Sequence, residues 1–156
     1  MNSMRRIFLQ KAVLGGASVL ALGTGLLHSA QVLAEWSKEA FEAETLDSAL
    51  QALYAGETAE ASDAITLKAP DIAENGAVVP ISVRTELANV ESISILVENN
   101  PSPLAASFNL TADTLADVST RIKMGETSNV TAIVKADGKL FMATQEVKVT
   151  IGGCGG

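Results

Sequence analysis

The residues best suited to chemistry stand together at the end of the sequence. Thr150-Ile151-Gly152-Gly153-Cys154-Gly155-Gly156 joins the single Cys to four of the twelve glycines. A thiol is a nucleophile, a redox centre and a group that can hold sulfur covalently. Glycine has no side chain and the freest backbone, so this stretch reads as a thin arm reaching roughly 15 Å when extended. Such an arm can enter narrow pockets. Cys is usually buried, but glycines on both sides of Cys154 leave nothing nearby to bury it, and its thiol is expected to be exposed. The terminal carboxylate disfavours a thiolate, and no His, Lys or Arg lies within five residues of Cys154. Activation of the thiol must therefore come from another protein.

Composition narrows what that thiol can be part of. The chain has 156 residues, 18 acidic against 11 basic side chains and a net charge of −7, which removes the electrostatic footprint that nucleic-acid binding needs. One Cys forbids an intrachain disulfide framework, and one Cys with one His cannot assemble a Cys/His zinc site; an all-oxygen calcium site stays open. No GxGxxG, GxxxxGK or CxxCH fingerprint is present, so no cofactor is expected.

The start of the chain reads as an address. MNSMRRIFLQK is followed by the uncharged apolar run AVLGGASVLALGTGLLHSAQVLA, the n-region and h-region of an export signal. Arg5-Arg6, then Ile7, Phe8, Leu9 and Lys11, resembles a twin-arginine leader, with Met4 where Ser or Thr is commoner and Gln10 where Lys is. Val32 and Ala34 are the small residues of a signal-peptidase site, so cleavage is expected after Ala34. A retained N-terminal anchor helix is the competing reading. Removing 34 of the 156 residues leaves 122, and it takes Arg5, Arg6 and Lys11 from the eleven basic residues, leaving eight against eighteen acids, or −10. His28 leaves too, and a mature chain without imidazole has no Ser-His or Cys-His pair. Tat export of a folded chain without a cofactor points to a preassembled partner, and the periplasm beyond is oxidising.

The remaining chain must position the arm. WSKEAFEAETLDSALQALY, residues 36–54, spaces Phe41, Leu46, Leu50, Leu53 and Tyr54 as an amphipathic helix, or two broken near Thr45, with Thr45 or Asp47 as cap and Gly56 as stop. Its expected role is packing on its own domain. Period-two alternation then takes over: Ile65 and Leu67; Val79, Ile81 and Val83, with Pro80 marking an edge strand or bulge; Ile93, Ile95 and Val97; Phe108 and Leu110; Val118, Thr120, Ile122 and Met124; Val130, Ala132 and Val134. Asp137-Gly138 is a type I′ hairpin signal leading to a return strand with Leu140 to Ala143, and a last strand alternates Val147, Val149 and Ile151. Turn clusters fall at Glu74-Asn75-Gly76, Asn99 to Pro103 and Gly125 to Asn129. Seven or eight short strands at this spacing predict an all-β chain, an immunoglobulin-like antiparallel β-sandwich preceded by a helical segment. The Cys-Trp-Cys core of antibody domains is missing, because Trp36 precedes the strands. The predicted organisation is a leader over 1–34, a sandwich over 35–151 and the GGCGG arm over 152–156.

Other sites are weaker. Asn99-Asn100-Pro101-Ser102-Pro103 reads as a turn, Arg121 and Lys123 as a solvated strand face, and the sequons at Asn109 and Asn129 as chance matches in a bacterial exported protein. Three readings of Cys154 remain: a tail without use, an intermolecular disulfide in an exported structural or adhesive module, and a covalent carrier presenting a substrate fragment to successive enzymes. Lipidation fits poorly, since only Gly155 and Gly156 follow the Cys. The terminal Gly-Gly is shared with ubiquitin-like sulfur carriers, against which export and the all-β pattern argue.

The arm GGCGG with a twin-arginine-like leader resembles the SoxY family, the sulfur-carrier subunits of the bacterial thiosulfate-oxidising Sox system. The likeness runs in order through LDSALQALYAG, APDIAENGAVVPISV, ENNPSPLAASF, STRIKMGETSNVTAIVKADGKLF and EVKVTIGGCGG. The resemblance implies an immunoglobulin-like sandwich in a heterodimer with SoxZ. It implies that SoxAX, a c-type cytochrome enzyme, joins thiosulfate to the arm Cys, that SoxB hydrolyses off sulfate, and that SoxCD in many systems oxidises the sulfur left behind. On this chain the covalent site carries over to Cys154 and the swinging arm to Gly152, Gly153, Gly155 and Gly156; the protein itself is then no enzyme.

Overall fold

Thr45 decides where the helical segment breaks. Its hydroxyl accepts from the Ser48 N–H and the Ser48 hydroxyl accepts from the Thr45 N–H, each at 3.2 Å, a reciprocal cap. The cap separates a single turn, α1 (Lys38–Phe41), from α2 (Leu46–Tyr54). The computed structural model describes residues 37–151; the leader with Arg5, Arg6 and Ala34, the residue Trp36, and Gly152 to Gly156 lie outside the described residues. Helix α2 stops one residue earlier than Gly56 implies: Ala55 takes the left-handed cap position (φ 53°), and Gly56 follows with φ 81°.

Among the described residues nine strands follow: β1 (Glu60–Ala61), β2 (Ile65–Lys68), β3 (Ile72–Ala73), β4 (Val79–Thr85), β5 (Val90–Val97), β6 (Leu104–Asn109), β7 (Asp117–Ile122), β8 (Ser128–Ala136) and β9 (Lys139–Val149). They form two sheets. One has the order β1-β9-β8-β5-β6, with β3 also on β9; the other has the order β2-β4-β7. Alternation drives their packing. Val79, Ile81 and Val83 from the smaller sheet face Ile93, Ile95, Val97, Val130, Ala132, Val134 and Val147 from the larger, with Met124 sealing the layer. This is the expected immunoglobulin-like sandwich.

The departures are local and have physical reasons. The chain is not wholly antiparallel: β1 and β3, two residues each, pair parallel to β9 at Phe141–Met142 and Lys148–Val149. The expected return strand and last strand are one strand of 11 residues, β9, because eight Cα partners beyond the Ala136–Lys139 pair keep it in register with β8. Strand β4 is central rather than an edge. Its partner β2 ends opposite Ser82, so Pro80 is flanked by β7 alone and its missing N–H removes no bond to β2. Ile151 lies past the end of β9 and is exposed rather than on the core face.

A third layer explains why β5 is buried on both faces. Leu96 of β5, Leu104, Ile133 and Leu140 pack against Ala40, Ala49 and Tyr54, so the helices cover the outer face of the larger sheet. The helical segment does pack on its own domain. Tyr54 donates to Ser94 at 2.8 Å, and Ser94 shares a hydrogen bond with Ser107 at 3.0 Å. Burial is the main cause that raises the Tyr54 pKa, opposed by the bonds to Ser94 and Ser92 and by the charge of Lys135.

Asp137 (φ 49°) and Gly138 (φ 69°) form the expected type I′ turn. The Gly138 N–H donates to the Glu91 carboxylate at 2.9 Å, and Lys135 lies 3.3 Å from it; these hold the Glu91 pKa below its ordinary value. The contribution of a depressed carboxylate is present above its ordinary range and lost as pH falls through the folded value, so this turn weakens in acid. A Cβ at Gly138 would meet nothing within 4 Å, so Gly138→Ala costs only its left-handed backbone, about 1 kcal/mol. We expect thermal denaturation to show a melting point lower by about 4 °C.

Candidate functional site

The site that can be built from the described residues is the base of the C-terminal arm. Strand β9 carries the chain toward Ile151, and two loops hold its end. On one side the strand β3 and the turn after it continue a ladder: Lys148 N–H to Asp71 O at 3.0 Å, Thr150 N–H to Ala73 O at 3.1 Å, and Gly76 N–H to Ile151 O at 2.8 Å. The Thr150 hydroxyl adds a bond to Glu74 O at 2.9 Å. On the other side the Val149 N–H donates to the Thr127 hydroxyl at 3.0 Å.

These loops are themselves fastened. Met124 N–H donates to Gly76 O at 2.7 Å, tying the 74–76 turn to the end of β7. The Asn75 side chain accepts from the Ala77 N–H at 2.8 Å, which is why Asn suits the turn. The Asn100 side chain donates to Lys123 O at 2.8 Å and accepts from the Gly125 N–H at 3.0 Å, while that of Asn99 donates to Thr127 O at 3.1 Å. Asn99 to Pro103 is thus a turn, as expected, and one that braces the loop holding β9. Gln145 reaches Ala69 O at 2.9 Å from the strand itself.

The three turn clusters visible in the sequence, Glu74-Asn75-Gly76, Asn99 to Pro103 and Gly125 to Asn129, therefore converge on one place. The sequence marks each as a turn, but nothing in local spacing says that they meet at the base of the arm. That convergence is the feature sequence reasoning missed. The chain is held as far as Ile151. Cys154, Gly152, Gly153, Gly155 and Gly156, outside the described residues, lie one to five residues beyond that anchor. Replacing the Thr127 acceptor should loosen it: Thr127→Val leaves the Val149 N–H without its partner, at about 1 kcal/mol, read as lower denaturant resistance and faster amide exchange at Val149.

Arg121 and Lys123 are exposed, in keeping with a solvated strand face. Among the described residues there is neither His nor Cys, no group of three His, Cys, Asp or Glu placed to hold a metal ion, and no helix long and apolar enough to cross a membrane. What the body offers is a fixed base. Fold and site together define a class: a small immunoglobulin-like sandwich whose last strand delivers a cysteine-bearing segment from a braced end.

The profile of the sulfur oxidation protein SoxY matches residues 50–154. A solved structure of the sulfur carrier protein SoxY from Chlorobium limicola f thiosulfatophilum is 44% identical, with a TM-score of 0.63 over 73% of this chain and 99% of that one. This chain belongs to the SoxY family. It is accordingly a sulfur-carrier protein of the Sox sulfur-oxidation system. Superoxide reductase (neelaredoxin) from Ignicoccus hospitalis is similar at 16% identity, with a TM-score of 0.49 over 55% of this chain and 79% of that one. Its T24K variant is similar at 18% identity and the same TM-score, over 67% and 92%. A search of curated proteins gives no match.

Proposed function

We propose that this protein carries sulfur covalently on Cys154 in the periplasm, with Gly152, Gly153, Gly155 and Gly156 as the arm that presents it to the enzymes of thiosulfate oxidation. The observation that supports this reading is the braced base: two loops fix β9 up to Ile151, a third turn braces one of them, and the family match runs from residue 50 to Cys154 itself. A fixed base followed by GGCGG limits the thiol to a small volume, which raises its effective concentration at an enzyme seated there.

The loading step joins the thiol to thiosulfate: Cys-SH and S2O3²⁻ give Cys-S-S-SO3⁻, a proton and two electrons. A c-type cytochrome enzyme, SoxAX, takes the electrons. Water then releases sulfate and a proton in a step assigned to SoxB, and Cys154 keeps a persulfide for SoxCD where that enzyme exists. The group carried is substrate, and no resident cofactor is involved. A twin-arginine leader ending at Ala34, with Arg5 and Arg6, would export the folded chain together with SoxZ as a heterodimer. The protein catalyses none of these steps.

Reconstitution tests the proposal. With the purified loading and hydrolysing enzymes, thiosulfate-dependent cytochrome reduction should require this protein. Alkylation of its thiol by iodoacetamide should abolish that reduction. Undiminished reduction with the alkylated protein would contradict the reading.

A further inference from the structure

The turn that holds the end of β9 contains the one Asn-Gly pair of the sequence, Asn75-Gly76. An asparagine followed by glycine is chemically unstable. The next backbone nitrogen can attack the side-chain carbonyl carbon, and glycine has no side chain to crowd the five-membered ring that results. Every other asparagine among the described residues precedes Val, Asn, Leu or Pro, where side-chain bulk, or in Pro the missing N–H, opposes that ring. Asn75 is exposed and open to water, whereas Gly76 is buried.

The geometry divides the pair into a prepared electrophile and a masked nucleophile. Attack on Asn75 Cγ places negative charge on Oδ1, and the Ala77 N–H already donates to Oδ1 at 2.8 Å, where an oxyanion donor is needed. The nitrogen that must attack is occupied: the Gly76 N–H donates to Ile151 O at 2.8 Å. The Met124 N–H donates to Gly76 O at 2.7 Å, so the glycine is held at both ends. Only when the end of β9 lifts does the Gly76 nitrogen come free.

We propose that Asn75 is a deamidation site gated by the end of β9: the bond from Gly76 to Ile151 holds the reaction off, and lifting of Ile151 releases it. In the reaction the Gly76 nitrogen bonds to Asn75 Cγ, its proton passes to the side-chain amide nitrogen, and that nitrogen leaves as ammonia. Water opens the resulting succinimide at either carbonyl, giving aspartate or isoaspartate at position 75, with no oxidant or reductant involved. The isoaspartyl product carries an extra methylene in the main chain and a new charge beside Glu74, so the turn no longer presents Gly76 to Ile151. Deamidation thus converts a transient opening of the arm's base into a permanent one, whatever Cys154 carries.

The test uses the full chain with Cys154 alkylated, incubated at neutral pH and followed by peptide mapping, with protein isoaspartyl methyltransferase as the probe for isoaspartate. Deamidation at Asn75 should be at least about tenfold slower in the folded protein than in the same protein unfolded in urea, because only the opened fraction reacts. Thr150→Val removes the hydroxyl bond to Glu74 O at 2.9 Å, an exposed contact between β9 and the same turn. It should raise the folded-state rate about threefold, the effect of losing one exposed hydrogen bond on the opening equilibrium. Amide exchange at Gly76 should rise by the same factor, since both processes report release of one N–H. In the isolated isoaspartyl fraction, exchange at Thr150, whose N–H donates to Ala73 O, should be faster than in the parent. Equal rates in folded and urea-unfolded protein overturn the gate, as does an unchanged deamidation rate in Thr150→Val. Unchanged protection of Thr150 in the isoaspartyl fraction overturns the permanent opening.

Discussion

Cys154→Ser is expected to remove thiosulfate-dependent turnover altogether while leaving the fold as it was. The change replaces only the sulfur atom, by a smaller oxygen, but a hydroxyl is far less acidic than a thiol and cannot hold a persulfide, so no loading or relay chemistry survives. Stability should be untouched. Both hydrophobic clusters are built from residues between Ala40 and Val149, and the hydrogen bonds that brace β9 end at Ile151. We expect a loss of at least about a thousandfold in reconstituted turnover with melting temperature unchanged. The competing view of Cys154, a disulfide link between copies of a structural module, makes a different forecast: the variant would lose covalent dimer and nothing else.

The second large effect is on stability. Tyr54→Ala should destabilise the protein by about 3–5 kcal/mol, because it empties the centre of the helical layer. Tyr54 is buried with Ala49, Leu96, Leu104 and Ile133, and its hydroxyl ends a chain of bonds through Ser94 to Ser107. Tyr54→Phe keeps the ring and removes only the hydroxyl, at about 1 kcal/mol, since Ser94 and Ser107 retain each other. The pair separates packing from hydrogen bonding. A pH series adds a third signature. The folded pKa of Tyr54 is raised by burial, so its contribution is complete below the ordinary tyrosine value and is lost as pH rises through the folded one. Stability of the parent should thus decline in strong alkali more steeply than that of Tyr54→Phe, as urea denaturation at a series of pH values would show.

The alternation of Val79, Ile81 and Val83, and of Val130, Ala132 and Val134, carried the sandwich legibly, because each strand needs one face for the shared core. Asp137-Gly138 named its own turn, and Thr45 its own cap. What alternation does not reveal is a second covering. In β5 every residue from Ile93 to Val97 is buried, since α2 lies over Ser94 and Leu96 while Ile93, Ile95 and Val97 face the smaller sheet. The parallel pairing of β1 and β3 is equally invisible, as two residues carry no period. Ile151 continues the alternation of Val147 and Val149 but has no strand left to belong to.

The arm was readable at once in one respect: GGCGG identifies Cys154 by composition alone. Its base was not. The bonds from Gly76 to Ile151 and from Val149 to Thr127 join positions 75 and 22 apart in sequence. Only the tertiary fold brings those turns to the end of β9.

The most direct measurement of the central claim is the intact mass of the protein isolated from the cells that make it, before and after reductant, and again after incubation with thiosulfate and the purified loading enzyme. The account predicts a reductant-sensitive increment of sulfur or thiosulfate, confined on peptide mapping to the segment that contains Cys154. Unmodified monomer with a reducible homodimer, unchanged by thiosulfate and the enzyme, would contradict it.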